Sequence, residues 1–394
     1  MIRQRPVELL APARNVECAM AAVDHGADAV YIGASRFGAR ASAGNSVEDI
    51  ARVVEYAPTF RVKVYVTVNT ILKDEELPET EKLVWALYRA GVDALIVQDV
   101  ALLELDLPPI PLHASTQMDN RTPEKVKFLH GLGFSQVVLA RELSLAEIQA
   151  VHAACDVPLE VFVHGALCVS YSGQCYVSQH CFGRSANRGE CAQFCRLKFD
   201  MVDSDGRMIE QGRHLLSLKD MNRGADLERL LDAGVTSLKI EGRLKDVAYV
   251  KNVTAWYRSR LDEIFQRRPE YRRASSGQVS LAFTPCLEKS FNRGFTRYFL
   301  DGRTPDIFSF HTPKSLGEEV GTVKDVRGKC IVVSGVKPFA NGDGLCFLDE
   351  QGNLQGFRVN RVEANKIYPA EMPRVRPHAR LYRNFDKAFE DVLS

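Results

Sequence analysis

The sequence predicts an α/β chain: a (β/α)8 TIM-like barrel with a cysteine-rich insertion after its seventh strand, followed by a small C-terminal antiparallel β-barrel domain. Three observations carry this expectation. A unit of helix, glycine turn and apolar strand recurs four times in the first two-thirds of the chain, and with the four apolar runs between them the strand candidates reach eight before about residue 245. The longest interruption of that rhythm falls directly after strand seven. Beyond Leu316 the period changes to short alternating runs punctuated by turns.

The strands read in order as VELLAPA (Val7–Ala13), HGADAVYIGA, VKVYVTVN (Val62–Asn69), AGVDALIVQD, PLHASTQ (Pro111–Gln117), GLGFSQVVLA, PLEVFVHG (Pro158–Gly165) and AGVTSLKIEG. Their continuous Val, Ile and Leu runs suit a parallel sheet buried on both faces. Gly26, Gly91, Gly133 and Gly234 each stand where a helix must end in a left-handed turn before the next strand. Helical patterns alternate with the strands at Val16–His25, Val47–Tyr56, Glu79–Arg89, Pro123–Leu132, Leu145–Ala154, Asp226–Asp232 and Val247–Phe265. Ser46, Thr122 before Pro123, and Ser144 with Glu147 supply N-terminal caps. An open doubly wound sheet is the alternative, but no Gly-x-Gly-x-x-Gly follows a strand.

The domains then divide as 1–266 for the barrel, with the insertion at 165–212, and 267–315 for a polar basic linker and an unassigned segment. The β-domain takes 316–394, with turn signals at Asn341-Gly342 and Gln351-Gly352.

Bulk properties exclude some classes. With 45% hydrophobic and 26% charged residues, the 394-residue chain has an ordinary globular composition. A net charge of +1 sets up no global field, so any RNA contact must come from local basic groups. No signal peptide and no apolar run of membrane-spanning length occurs, which points to a cytoplasmic protein that does not enter a membrane. Reducing conditions disfavour structural disulfides there, so clustered cysteines point to metal or redox use.

Cys168, Cys175, Cys181, Cys191 and Cys195, five of the chain's ten cysteines, crowd into Gly165–Lys198. Omitting Cys181, the spacing is C-x6-C-x15-C-x3-C. Zinc sites usually pair ligands as C-x2–4-C, which only the last pair satisfies. An iron–sulfur cluster tolerates irregular spacing. Spacing alone leaves a [4Fe–4S] cluster, zinc and unliganded redox thiols all open.

The runs HGALCVSYSGQC and SANRGECAQFCR, with AVYIGASRFGARAS, VTVNTILKDEEL, VVLAREL, SLKIEGRLKDVAYVKN and PFANGDGL, extend over nearly the whole chain. Together they resemble the collagenase-like U-type peptidases, within them a branch that makes 5-hydroxycytidine in 23S rRNA. The resemblance implies a [4Fe–4S] cluster on Cys168, Cys175, Cys191 and Cys195. It also implies oxygen-independent C5 hydroxylation of an RNA pyrimidine, with prephenate as a required metabolite, a small-molecule oxygen donor and an electron donor. Other branches imply tRNA 5-hydroxyuridine synthesis or peptidase activity. A peptidase needs a nucleophile or metal, yet neither His-Glu-x-x-His nor Gly-x-Ser-x-Gly is present, which leaves a Cys–His pair using His164. A scaffold with structural zinc is the non-enzymatic rival.

In a barrel, polar residues at strand C-termini face the pocket. Asn69, Gln98, Ser115, Gln117, Arg141 and Glu142 are the candidate substrate-binding residues, and His164, Glu241 and Arg243 the candidate catalytic ones. A self-satisfied polar network is the bland reading of the same residues. Arg36, Arg40, Arg141 and Arg243 suit a dicarboxylate such as prephenate. His113 reads as structural. For RNA there are basic groups at Arg184, Arg188, Arg196 and Lys198, at Arg267, Arg268, Arg272 and Arg273, and at Arg374, Arg376, Arg380 and Arg383. Tyr171 and Phe182 suit stacking on an extruded base or packing beneath the loop.

Overall fold

The computed structural model describes residues 4–40 and 43–394, so the chain start and the last two residues of AVYIGASRFGARAS lie outside the described residues. All eight expected strands form: β1 (Arg5–Ala13), β2 (Ala29–Ala34), β3 (Lys63–Val68), β4 (Ala94–Val97), β5 (Leu112–Ala114), β6 (Gln136–Val138), β7 (Leu159–Gly165) and β8 (Val235–Ile240). Each pairs in parallel with the next, and β8 pairs with β1 to close the barrel. Register is explicit at the closure, where Glu8 faces Ser237 and Leu10 faces Lys239.

The helices that alternate with these strands are α1 (Val16–Asp24), α2 (Val47–Tyr56), α3 (Leu77–Arg89), α4 (Pro123–Gly131), α5 (Leu145–Ala154), α6 (Leu227–Asp232) and α7 (Val247–Arg267). Ser46 and Thr122 accept hydrogen bonds from the first turns, and Ser144 with Glu147 forms a capping box. Between β4 and β5 there is only the 3-10 turn Val100–Glu104, and Pro108 and Pro109 follow it closely. All four expected turn glycines have positive φ; at Gly26 (φ +99) a Cβ would also strike the buried Arg258 side chain.

By contact the chain forms two compact units: one of residues 1–194, 221–281 and 297–306, the other of 195–220, 282–296 and 307–394. The segment 267–281 is therefore not a free linker. Tyr271–Arg273 pairs in parallel with β1, and Arg273 donates to Asp28 at 3.1 Å. Asp28 is a buried hub, accepting also from Leu9 N at 2.8 Å, Arg258 at 3.2 Å and Ser275 Oγ at 2.7 Å. In the second unit β9 (Glu318–Arg327), β10 (Cys330–Ser334), β11 (Gly344–Leu348), β12 (Leu354–Glu363), β13 (Lys366–Pro369) and β14 (Arg380–Phe385) close an antiparallel barrel around Val323, Ile331, Phe347 and Leu381.

Inside the first barrel, side chains from alternate strands stack in layers. Such layers are usually filled by branched apolar residues. One of them here holds Glu8 on β1, Tyr65 on β3, His113 on β5 and Glu160 on β7. Tyr65 OH donates to Glu8 at 2.5 Å and its ring meets His113 edge-on at 4.7 Å.

Asp28→Ala removes the buried carboxylate shared by buried Arg258 and half-buried Arg273 and should cost about 3 kcal/mol, since breaking a buried ion pair leaves charge poorly compensated. Denaturant unfolding of the full chain measures it; a loss within experimental error would show that the hub contributes nothing.

Candidate functional site

The C-terminal ends of the barrel strands enclose a pocket of about 430 Å3, part of it open to solvent. Its wall includes Asn69, Ser115, Gln117, Arg141, Glu241 and Arg243 from the sequence expectation, together with Arg40. Tyr31, Thr67, Phe162 and Lys239 also line it and were not anticipated. Lys239 had a signal in the sequence: in KIEGR it alternates with Glu241 and Arg243, and period-two residues share a face.

Four cations converge here. Arg141 donates to Glu241 Oε2 at 2.7 Å and its guanidinium lies 3.7 Å from the Phe162 ring centroid. Arg243, 5% exposed, donates to Thr67 Oγ1 at 2.7 Å. Lys239, 4% exposed, reaches past the Tyr31 ring at 4.4 Å to Glu160 Oε1 at 2.6 Å. Burial pushes the Glu241 carboxyl up, but Arg40, Arg141, Arg243 and Lys239 outweigh that and hold it below the usual carboxylate range. Burial lowers both Lys239, against the pull of Glu160, and Arg243. Four cations meet two carboxylates, Glu241 and Glu160, so the pocket carries two positive charges in excess. The Arg141 Nε is buried without a hydrogen-bond acceptor. Asn69 donates to Ser115 Oγ at 3.2 Å and accepts from Ala39 N at 2.9 Å, which fixes its amide at the rim.

Three expected site residues lie elsewhere. Gln98 does not line the pocket; it donates to the Gln117 carbonyl at 3.3 Å. Glu142 is buried and accepts from Ser172 N and Oγ, both at 3.0 Å, so it anchors the cysteine loop and is not a pocket wall. His164 is 1% exposed and sits against Tyr249 and Tyr257 of α7, with Tyr257 OH 3.3 Å from Nδ1. Burial lowers its pKa to about 3, so it is neutral at physiological pH and placed as a packing residue, not a proton shuttle. Arg36 is likewise absent from the pocket and pairs on the surface with Glu79. His113 is structural as expected, buried in its layer and lowered by burial to about 4.

The cysteine loop is pinned to the barrel rim at separate points. Besides Ser172 on Glu142, Gly173 packs so closely that a Cβ would stand 2.0 Å from the Gln117 carbonyl oxygen. Arg188 grips Glu76 with bonds of 2.6 and 2.9 Å and holds the Glu76 carboxyl near about 2. Ile71 N donates to the Asn187 carbonyl at 3.1 Å. Tyr171 is 48% exposed and lies under the Arg121 guanidinium at 4.1 Å, whereas Phe182 meets Phe194 at 6.2 Å.

Cys168, Cys175, Cys181 and Cys191 are unbonded thiols in this unit. Cys168 keeps a solvent-exposed surface, yet the atoms crowding its sulfur push the thiol up, and the neighbouring Cys175 and Cys191 add to that. Cys195 lies in the 3-10 turn Phe194–Arg196. Among the described residues no three His, Cys, Asp or Glu side chains gather tightly enough to hold one metal ion.

Several of the basic groups named for RNA are committed to protein contacts. Arg188, Arg267, Arg268 and Arg273 pair with Glu76, Glu228, Asp232 and Asp28 in the first unit. In the second, Arg376 and Arg383 pair with Glu350 and Glu318, and Arg196 donates to Ser217 and Leu218. No helix among the described residues is long and apolar enough to cross a membrane.

Residues 14–308 match the model of peptidase family U32. The chain belongs to family U32. It is 51% identical, over 98% of its own length, to "23S rRNA 5-hydroxycytidine C2501 synthase" of Escherichia coli (strain K12), of which it spans 61%. It is 33% identical to "tRNA hydroxylation protein P1" of Bacillus subtilis (strain 168), covering 95% of this chain and 96% of that one. It is also 30% identical to "Collagenase" of Porphyromonas gingivalis, over 97% of this chain and 99% of that one. The chain thus spans under two-thirds of the E. coli protein, and its match to the family model takes in the pocket and the cysteine loop of the barrel unit.

Two outcomes follow for the site. Gly173→Ala should loosen the loop: limited proteolysis within 165–194 should speed up several-fold while the melting temperature changes little, and unchanged proteolysis would remove the anchor. The unfolded chain takes a proton at His164 below pH 6.5, whereas the folded chain does not until about 3. The barrel should therefore lose stability as pH falls through that window. Denaturation midpoints at several pH values should show a smaller loss in His164→Gln, and an equal loss would contradict the assignment.

Proposed function

We propose that this chain hydroxylates a pyrimidine of RNA at C5, forming 5-hydroxycytidine in 23S rRNA, with prephenate bound in the cationic pocket. The observation that carries the reading is the pocket's excess of two positive charges at a barrel rim to which the cysteine loop is pinned. A dicarboxylate satisfies both charges and offers an acceptor to the Arg141 Nε. Identity of 51% to the E. coli synthase across 98% of this chain supports cytidine of rRNA over uridine of tRNA.

The residues divide the work. Arg40, Arg141 and Arg243 bind and orient the dianion by forked hydrogen bonds, and Glu241 holds Arg141 in place. Tyr31 and Phe162 wall the pocket with apolar faces that exclude water from the cationic groups. Tyr171, exposed and backed by Arg121, offers a face on which a base out of its stack can rest.

Cys168, Cys175, Cys191 and Cys195 would hold a [4Fe–4S] cluster. A donor set of thiols without histidine or carboxylate is soft and suits iron–sulfur chemistry, and a cluster of several irons accepts thiols spaced more widely than one zinc ion does. Such a cluster supplies one-electron transfer, and four thiolate ligands leave none of its irons open. A small-molecule oxygen donor is reduced by the two electrons that C5 gives up as its C–H becomes C–OH, which balances the reaction, and an external electron donor would only bring the cluster to its reduced state.

Three measurements test this. Nucleoside mass spectrometry of rRNA and tRNA from a strain lacking the gene, with and without the gene restored, should show loss and recovery of 5-hydroxycytidine in 23S rRNA; loss of tRNA 5-hydroxyuridine instead would move the substrate to tRNA. Arg243→Ala should weaken prephenate binding roughly 10- to 100-fold, the size expected for hydrogen bonds to a charged group. Binding unaffected by that change would refute the dicarboxylate pocket. Iron and sulfide analysis after anaerobic purification tests the cluster, and stoichiometric zinc without iron would overturn it.

A further inference from the structure

Directly beneath the pocket the barrel carries titratable groups where an apolar core is the norm. From the pocket wall inward, Lys239 Nζ donates to Glu160 Oε1 at 2.6 Å, and Ser237 Oγ stands 3.4 Å from Glu160 Oε2. The same hydroxyl lies 2.8 Å from Glu8 Oε1, and Glu8 Oε2 accepts from Tyr65 OH at 2.5 Å. Two carboxylates are thus joined through one serine hydroxyl, with one buried lysine between them and the pocket.

We propose that this chain couples anion binding in the pocket to uptake of one proton by the Glu8–Glu160 pair. The inference rests on the dicarboxylate reading of the pocket and adds to it a route by which the site responds to pH.

The charges require such coupling. With both carboxylates ionised the network holds two negative charges against the single ammonium of Lys239, inside a core that stabilises uncompensated charge poorly. Like charges that share a buried site do not both ionise readily, so one proton is held loosely between them. Burial, with Glu160 adding repulsion, raises Glu8 to about 7 against the hydrogen bonds of Tyr65 and Ser237 and the charge of Lys63. Glu8 is half-buried and keeps contact with solvent, which gives a proton its way in, while Glu160 is 0% exposed.

The other groups facing the pair do not titrate in this range. His113 on β5 is lowered to about 4 and stays neutral. Tyr65 on β3 and Tyr31 on β2 are raised by burial and stay protonated. On the pocket side Lys239 faces Glu241 and Arg243. An anion entering there pairs with Lys239, whose ammonium already borders the pocket, and Glu160 loses part of its compensation. The carboxylate pair then answers by binding one proton from solvent. No bond is made or broken other than to that proton.

Calorimetric titration of the full chain with prephenate at about pH 7.5 provides the test, run in buffers of different ionisation enthalpy. The wild type should take up a measurable fraction of a proton per anion bound, and its affinity should fall by up to about tenfold per pH unit above neutrality. Glu8→Gln should still bind prephenate with that proton uptake lost and that slope flattened. Binding without proton uptake, or equal uptake in Glu8→Gln, overturns the inference and leaves the pocket reading intact. Absence of any binding overturns both. Infrared difference spectra of the wild type need no variant: adding prephenate should raise a protonated-carboxyl band, and its absence counts against the coupling even if Glu8→Gln fails to fold.

Discussion

Burying like charges together is costly unless other charges compensate them, and the rim of this barrel is arranged around that constraint. Glu241 is the group on which the arrangement depends. It stays ionised although burial opposes this, because Arg40, Arg141, Arg243 and Lys239 all act on it. Of those cations Arg243 and Lys239 are the most deeply buried, at 5% and 4% exposure, and they are tolerable there because Glu241 and Glu160 answer part of the charge. The answer is incomplete, and the remainder defines what the pocket can hold. An anion is the physical complement of such a site, and an apolar ligand is not.

The cysteine loop obeys a different economy. Its residues bury little apolar surface, so it cannot hold its shape as a core does. It is held by discrete contacts: Ser172 on Glu142, Gly173 on the Gln117 backbone, and Arg188 on Glu76. Each contact lands on a segment following a different barrel strand, which fixes the loop against rotation as well as translation. Glu142 shows how one residue type serves two ends. It stands at a strand terminus among pocket residues, yet its carboxylate faces the loop.

The sequence made the barrel legible because the same physical problem recurs eight times. Each strand buried on both faces must be continuously apolar, and each helix must end in a left-handed turn before the next one. Gly26, Gly91, Gly133 and Gly234 mark those turns, and all have positive φ. The location of the pocket was legible for the same reason, since strand C-termini in a parallel barrel gather on one rim. What failed was the direction of individual side chains. His164 and Phe162 are two residues apart on β7, and strict alternation would put both inside. A register shift in the pairing with β8 breaks that alternation, sending His164 toward Tyr257 while Phe162 lines the pocket.

The sequence by itself thus determined the fold class, the position of the cysteine insertion and the end of the barrel where the site lies, because periodicity and turn chemistry are local properties. Tertiary structure alone decided which polar residues face the pocket and which anchor the loop. It also revealed the layer of Glu8, Tyr65, His113 and Glu160 beneath the pocket. These residues stand on four different strands, more than a hundred and fifty positions apart from first to last. In each strand a polar residue flanked on both sides by apolar neighbours carries no sign of its partners. Only closure of the barrel brings the four to one level and turns them into a network.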